Sequence, residues 1–351
     1  MKSRNPQRKV LVTYFSPTYK NNIEKDKNVD YVMPLPWDIP GPMQSFIQHF
    51  RPISLLIART DLWPECLYQC QKLRVPTRLF SCTKHKIKFW DRVLSILNLN
   101  PVEKIEKVYT VSEDDLKNMN QLHKGTQNKA IGDTRYDQVF YRLAQNNSIK
   151  ESLFCQTPLK ILMGSSWPAD EERVLPALAA FVQQEKVQLI IAPHEPHPDH
   201  LRKIESQLKK HGIDFIYYTQ SESGVASKAM IIDTVGVLAD LYKLSDVAFV
   251  GGSFNGSVHS VMEPLAAGCP VFVGPDFKNN REAISFSKVP LDSTPLKVVH
   301  PVNTPNDIND YVSQMLDQDL SQLKQQVISL TETHKGSSKT LVELLITDKL
   351  I

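Results

Sequence analysis

Three common signatures of nucleotide and ester chemistry are missing from this chain. No Gly-x-Gly-x-x-Gly follows its first apolar run, which disfavours a nicotinamide dehydrogenase; there is no Walker A loop, which disfavours phosphoryl transfer. No Gly-x-Ser-x-Gly elbow points to hydrolase chemistry. Cysteine is scarce: the five (Cys66, Cys70, Cys82, Cys155 and Cys269) are odd in number and show no paired metal-ligand spacing, so reduced thiols and no metal are expected. Cys66 and Cys70 stand one helical turn apart, a core-face spacing. No apolar run approaches membrane-spanning length and no apolar segment follows Met1, so a cytoplasmic protein is expected. An excess of one charge is also lacking. At +3 the net charge gives no case for a nucleic-acid partner, although the first residues are basic (Lys2, Arg4, Arg8, Lys9). With 41% hydrophobic and 23% charged residues the composition is that of an ordinary globular protein, and 351 residues suggest about two domains.

What is present centres on residues 247–275. An apolar run from Val247 ends in Gly251-Gly252-Ser253, a helix-like stretch follows, and a second apolar run from Pro270 to Val273 ends in Gly274-Pro275. This is the layout of a parallel βαβ unit. Glycine lets the backbone turn sharply and approach a ligand, and a helix N-terminus after such a loop suits a phosphate. Glu263 stands in the helix-like stretch among Val258, Val261, Met262, Leu265 and Ala266. Burying an acid there requires hydrogen-bond partners, which ribose hydroxyls would supply. A solvated glutamate on a polar helix face is the alternative.

Along the chain, strands are expected at Lys9–Phe15, Ser54–Ala58, Thr77–Ser81, Val108–Ser112 and Lys129–Gly132, with helices between them. A polar stretch, Asn146, Asn147 and Ser148, reads as an interdomain linker, giving domains 1–148 and 149–351. The second half restarts with a strand at Lys160–Met163, then Gly164-Ser165-Ser166-Trp167-Pro168. The acids Asp170, Glu171 and Glu172 follow Pro168 as a helix start. Gln188–Ala192 leads to Pro193-His194-Glu195, and Met230–Asp233 leads to Thr234-Val235-Gly236-Val237-Leu238. Ligands of parallel sheets bind at the carboxyl ends of strands. Gly164-Ser165-Ser166, Pro193-His194-Glu195 and Gly251-Gly252-Ser253 are thus expected to face one cleft and a nucleotide-type ligand.

Six segments in order carry a family resemblance. They are Leu35-Pro36-Trp37-Asp38-Ile39-Pro40, Thr60-Asp61-Leu62-Trp63-Pro64, Gly132-Asp133-Thr134-Arg135-Tyr136-Asp137, Gly164-Ser165-Ser166-Trp167-Pro168, Asp233-Thr234-Val235-Gly236-Val237-Leu238 and Ala248-Phe249-Val250-Gly251-Gly252-Ser253. From about Lys9 to its C-terminal helices the chain resembles the 3-deoxy-D-manno-octulosonic acid (Kdo) transferases of lipid A biosynthesis. The resemblance implies an α/β fold of GT-B type, with two Rossmann-like domains facing a cleft. The implied reaction moves Kdo from CMP-Kdo to a hydroxyl of lipid A precursor, with no cofactor, at the cytoplasmic face of the inner membrane and in peripheral contact with the membrane surface. It places the cytidylate at Pro193 and His194, at Gly236, Val237 and Leu238, at Gly252 and Ser253, and at Ser260, Val261, Met262 and Glu263, with Glu263 on the ribose. Arg135 takes the position of a basic residue that stabilises departing charge. A helix-cap histidine is the structural alternative for His194, and an ion pair with Asp133 or Asp137 the alternative for Arg135.

The departures set further expectations. Many family members carry Arg where this chain has His194, which makes the phosphate contact titratable. Arg59 replaces the first acid of the family's Glu-Thr-Glu-Leu-Trp-Pro, leaving Asp61 as the second. The chain contains no Gly-Glu dipeptide, the family's proposed general-base loop, so an incomplete N-terminal domain is expected. Loss of a base costs about 10²–10⁴-fold in rate. Another GT-B enzyme such as a sugar-nucleotide epimerase, or an inactive nucleotide- or glycan-binding remnant, are the competing readings.

Overall fold

Strands that alternate with helices return parallel to one another, because right-handed crossovers lay each new strand beside an earlier one. The structure, a computed structural model, describes residues 2, 5–16, 20–84, 86–97, 100–123, 127–145, 149, 153, 154, 157–221, 227–292 and 294–351, without the side chains of 21, 22, 92 and 96. It forms two compact units, Met1–Asp137 with His334–Ile351, and Gln138–Thr333. The division differs from the expected boundary at 148/149, and the C-terminal segment joins the first unit rather than the second. Arg4, Cys155 and the expected linker Asn146, Asn147 and Ser148 lie outside the described residues.

In unit 1, β1 (Leu11–Tyr14) pairs in parallel with β2 (Tyr31–Pro34). A second parallel sheet has the order β3 (Leu55–Ala58), β4 (Thr77–Cys82), β5 (Lys107–Thr110), β6 (Lys129–Ala130). Helices α1 (Lys20–Glu24), α2 (Pro40–Phe50), α3 (Pro64–Lys72), α4 (Phe89–Ile96), α5 (Glu113–Met119) and α6 (Thr134–Leu143) follow these strands in turn, α6 running on into unit 2. Ser112 caps α5 as expected, its hydroxyl accepting the Asp115 N–H. The C-terminal helix of the chain, Ser337–Thr347, is held to unit 1 by charge and by apolar packing. Asp137 accepts the N–H groups of Gly336 at 2.7 Å and Ser338 at 2.6 Å, satisfying donors that a helix start leaves free. Just beyond the other end, Asp348 pairs with Arg78 at 3.0 Å and Lys107 at 2.5 Å. Leu341, Leu345 and Leu350 close over Tyr109. These hydrogen-bonded and ion-paired partners lie 199 to 270 residues apart in sequence, so no local pattern announces them.

Unit 2 is one parallel sheet in the order β13-β12-β11-β7-β8-β10-β9. Its strands are β7 (Leu159–Ser166), β8 (Val187–Pro193), β9 (Phe215–Tyr217), β10 (Ala229–Ile231), β11 (Val247–Val250), β12 (Val271–Val273) and β13 (Val299–Pro301). All of β8 and β11 is buried, as expected of parallel strands covered on both faces. The helices of this unit are α7 (Pro168–Gln183), α8 (Pro198–Lys210), α9 (Leu238–Leu244), α10 (Met262–Ala266), α11 (Arg281–Phe286), α12 (Pro305–Leu316) and α13 (Leu320–Glu332), and α14 is the Ser337–Thr347 helix described above. Strand β7, which opens the second half of the sequence, lies between β11 and β8. The loops after β7, β8 and β11 are therefore neighbours at one edge.

Candidate functional site

The glycine loop after β11 is shaped by its own chain. A Cβ on Gly251 would lie 2.1 Å from the Ser165 carbonyl oxygen, and one on Gly252 (φ +82°) 2.2 Å from that of Ser257. Both glycines thus serve close packing of loop backbone, a role the sequence did not reveal. Ser253 is fully buried; its hydroxyl donates to the Val250 carbonyl at 2.9 Å and accepts the Gly274 N–H at 2.8 Å. The expected helix directly after this loop is also corrected. Residues 251–256 form turns, 257–261 are irregular, and α10 begins only at Met262. Glu263 is the second residue of α10.

The acids at the start of α7 do more than favour a helix terminus. Asp170 and Glu171 are both fully buried on the face shared with Val174, Leu175 and Leu178, while Glu172 is exposed. Asp170 accepts three backbone N–H groups: Trp167 at 2.9 Å, Gly252 at 2.7 Å and Phe254 at 3.0 Å. One carboxylate so fixes both the β7 and the β11 loops. Burial raises its pKa, against the lowering effect of those three bonds. Glu171 accepts from the Ser166 hydroxyl at 2.7 Å and meets His200 Nε2 at 2.9 Å, while His200 Nδ1 lies 3.1 Å from the Glu195 carbonyl. This pair ties the loop after β8 to α7.

On this base stand three rings from three loops. His194 stacks on His259 with centroids 4.3 Å apart and meets Trp167 in a tilted contact at 4.9 Å. Trp167 Nε1–H donates to His259 Nε2 at 2.9 Å. Indole nitrogen can only donate, so His259 must hold its proton on Nδ1 and be neutral. Burial, reinforced by the charge of His194, lowers the His259 pKa in keeping with that bond. His194 is exposed and lies outside α8, which starts at Pro198, so it is not a helix cap. Trp167 and His259 were not selected from the sequence. The signal that would have found them is their place beside the ends of β7 and β11.

The remaining expected binding residues divide by exposure. His194, Gly236 and Ser260 are exposed, whereas Val237, Leu238 and Glu263 are partly buried. Pro193, Gly252, Ser253, Val261 and Met262 are buried. Gly236 has φ +92° and open space around its Cβ position. Glu263 pairs with Arg142 of α6 at 2.8 Å, and its negative charge adds to burial in raising the Tyr242 pKa. Its partner in the structure is thus a guanidinium, which neither expected alternative foresaw.

In unit 1 the motif residues are largely accounted for by packing. Gly132 (φ +92°) meets Ser337 Oγ, where a Cβ would lie at 2.2 Å. Arg135 binds the buried Asp133 through Nε at 2.9 Å and Nη2 at 2.6 Å, the ion-pair alternative. Tyr136 stacks on His334 at 4.7 Å. Asp38 accepts the N–H groups of Glu65 at 3.1 Å and Cys66 at 2.9 Å, capping α3. Asp61 is exposed just after β3, beside Arg59, whose φ is +63°. Asp61 follows β3 and Arg135 follows β6, at opposite edges of a four-stranded sheet, roughly 14 Å apart by strand spacing alone. The sheet does not bring these two together. Among the described residues no cluster of three His, Cys, Asp or Glu side chains is placed to hold a metal ion.

Two parallel Rossmann-like units, with loops gathered at strand carboxyl ends, define an α/β protein of GT-B type. The fold comparison agrees: a UDP-GlcNAc 2-epimerase from Neisseria meningitidis superposes with a TM-score of 0.66 over 97% of this chain and 91% of that one, at 14% identity. Residues 1–138 match the family described as 3-Deoxy-D-manno-octulosonic-acid transferase (kdotransferase). A 3-deoxy-D-manno-octulosonic acid transferase from Rickettsia conorii is 25% identical over 68% of this chain and 51% of its own length. One from Chlamydia trachomatis is 27% identical over 70% of this chain and 57% of its own length. The chain thus matches about half the length of these curated relatives. Over these stretches the chain is similar to the Kdo transferases.

Proposed function

We propose that this protein transfers Kdo from CMP-Kdo to a hydroxyl of lipid A precursor at the cytoplasmic face of the inner membrane. The observation that carries the reading is the family match over unit 1 together with the ring cluster at the carboxyl edge of the unit 2 sheet. In the reaction the bond from the Kdo anomeric carbon to the cytidylate phosphate breaks, and a bond to the acceptor oxygen forms. The acceptor proton leaves to a base while CMP departs with its negative charge. Unit 2 supports the donor half. His194 is exposed where a phosphate would be met, and Gly236, Val237 and Leu238 offer a second loop. Glu263, parted from Arg142, would accept hydrogen bonds from the ribose. Pro193, Gly252, Ser253, Val261 and Met262 shape this site from beneath rather than touch the donor.

For the chemical step Arg135 is assigned the developing phosphate charge, as a guanidinium already oriented by Asp133. Asp61 is the acid nominated to take the proton. The test is Kdo transfer from CMP-Kdo to tetra-acylated lipid A precursor, with Asp61→Asn alongside. Transfer reduced about 10²-fold or more by Asp61→Asn is expected. Transfer unaffected by that change removes Asp61 from the mechanism. Turnover of UDP-sugars in place of CMP-Kdo would favour an epimerase-like enzyme, and binding without turnover a remnant.

A further inference from the structure

Helix α4 exposes what a helix ordinarily buries. Phe89 is 73% exposed, Trp90 69%, Leu94 38% and Leu97, just past its end, 58%. Trp90, Leu94 and Leu97 follow the spacing of one helical face, with Phe89 beside them. The Phe89 and Trp90 rings pack edge to face on each other at 5.6 Å, in the open rather than against the core. Isolated exposed apolar side chains need no explanation, but a continuous stripe of this kind does. Lys86 and Lys88, at the entrance to the helix, are exposed as well. The acid of the face, Asp91, is already neutralised by Lys84 at 2.8 Å and accepts the Lys88 N–H at 2.8 Å. The patch therefore presents aromatic and aliphatic side chains with positive charge.

We propose that this face of α4 docks onto an anionic lipid surface. An aromatic pair suits the headgroup level of a bilayer, aliphatic groups suit the acyl boundary just below, and lysines meet anionic headgroups. Among the described residues no helix is long and apolar enough to cross a membrane, so α4 would lie on the surface. The inference locates the membrane contact of the reading above and rests on it for the choice of a lipid partner. A protein face with the same chemistry, including a second copy of this chain, is an outcome of the test.

The experiment is sedimentation of the full chain with phosphatidylcholine vesicles, with and without phosphatidylglycerol. Binding to the anionic vesicles, weakened by salt, is expected. Lys86→Glu with Lys88→Glu should lower the partition coefficient at least about fivefold for each lysine. Phe89→Ser with Trp90→Ser should abolish pelleting, and the blue shift of tryptophan fluorescence on binding should vanish in Trp90→Phe. Because all four side chains are exposed, thermal unfolding should match the parent protein, which separates lost docking from lost fold. Transfer to acceptor presented in detergent should persist in these variants, so failure of docking and failure of the transferase reading are told apart. Equal pelleting of parent and variants overturns the proposal. So does no binding by the parent protein, or a change confined to self-association.

Discussion

In unit 2 every residue of β8 and β11 is buried, whereas in unit 1 β1 has no fully buried residue and β3 has one, Ile57. Surface chemistry differs in the same sense. Among the described residues, the large apolar side chains left exposed are Phe15, Tyr31, Trp37, Ile39, Ile53, Tyr68, Phe89, Trp90, Leu94 and Leu97 in unit 1, against Tyr141 and Val235 in unit 2. Unit 2 encloses its apolar residues and fixes its loops with buried carboxylates. Unit 1 leaves apolar surface open and draws its C-terminal helix in through ion pairs. A donor platform needs loops held still; an acceptor-side unit that meets a lipid needs apolar surface outside. The contrast is therefore what a division of labour between donor and acceptor would produce.

The largest expected effect tests the fixed loops of unit 2. Asp170→Ala removes a carboxylate that satisfies three backbone N–H groups, and should cost about 3–5 kcal/mol in chemical denaturation. A loss under about 1 kcal/mol would mean that water replaces the carboxylate and that the loops are not built on it. In unit 1 the corresponding cut is Asp348→Asn. It leaves Arg78, which is 4% exposed, with Glu106 as its remaining carboxylate beside the Thr77 carbonyl, and about 2–3 kcal/mol of stability should be lost.

A smaller effect separates binding from building. Glu263→Ala should weaken CMP binding by about 1.5–3 kcal/mol, the range of a charged hydrogen bond. Its pairing with Arg142, whose side chain is half exposed, contributes at most about 1 kcal/mol, so Tm should hardly move. A fall in Tm with unchanged CMP affinity would make Glu263 structural. The smallest effect is a pH dependence. His259 has its pKa held below the ordinary 6.5 by burial and by His194. As pH falls below that value the unfolded chain takes up a proton that the folded chain refuses, so stability declines toward acid and is level above. His259→Asn should flatten this decline in thermal scans. The slope should not vanish, because burial lowers the His300 pKa also. An unchanged slope would show that the ring cluster opens before His259 is protonated.

Much of the fold was legible because its signals are local. Runs such as Lys160–Met163 and Gln188–Ala192 are apolar and bounded by turn residues, and they became β7 and β8. The buried face of α7 was also readable in principle. Asp170, Val174 and Leu178 recur at helical spacing, which puts the acid on the apolar side. Long-range partners were not readable. Nothing near Asp137 indicates that it receives Gly336 and Ser338, nor does anything near Asp38 indicate that it caps α3. For the same reason the return of the C-terminal helix to unit 1 escaped the sequence, and the domain boundary with it. The glycines were located correctly, but Gly251 and Gly252 serve backbone contacts that only the neighbouring loops reveal. In the candidate site, Glu263 was reached as an acid among apolar residues and His194 from its place at a strand's carboxyl end, the family resemblance adding their roles, whereas Trp167 and His259 emerge only when three loops meet.

Titration of the full chain with CMP and with UMP by calorimetry tests the central claim most directly. A cytidylate site built on unit 2 predicts that CMP binds at least about tenfold more tightly, a difference of about 1.4 kcal/mol, and that Glu263→Ala removes most of that affinity. Equal affinity for the two nucleotides, a preference for UMP, or no binding of either would contradict it.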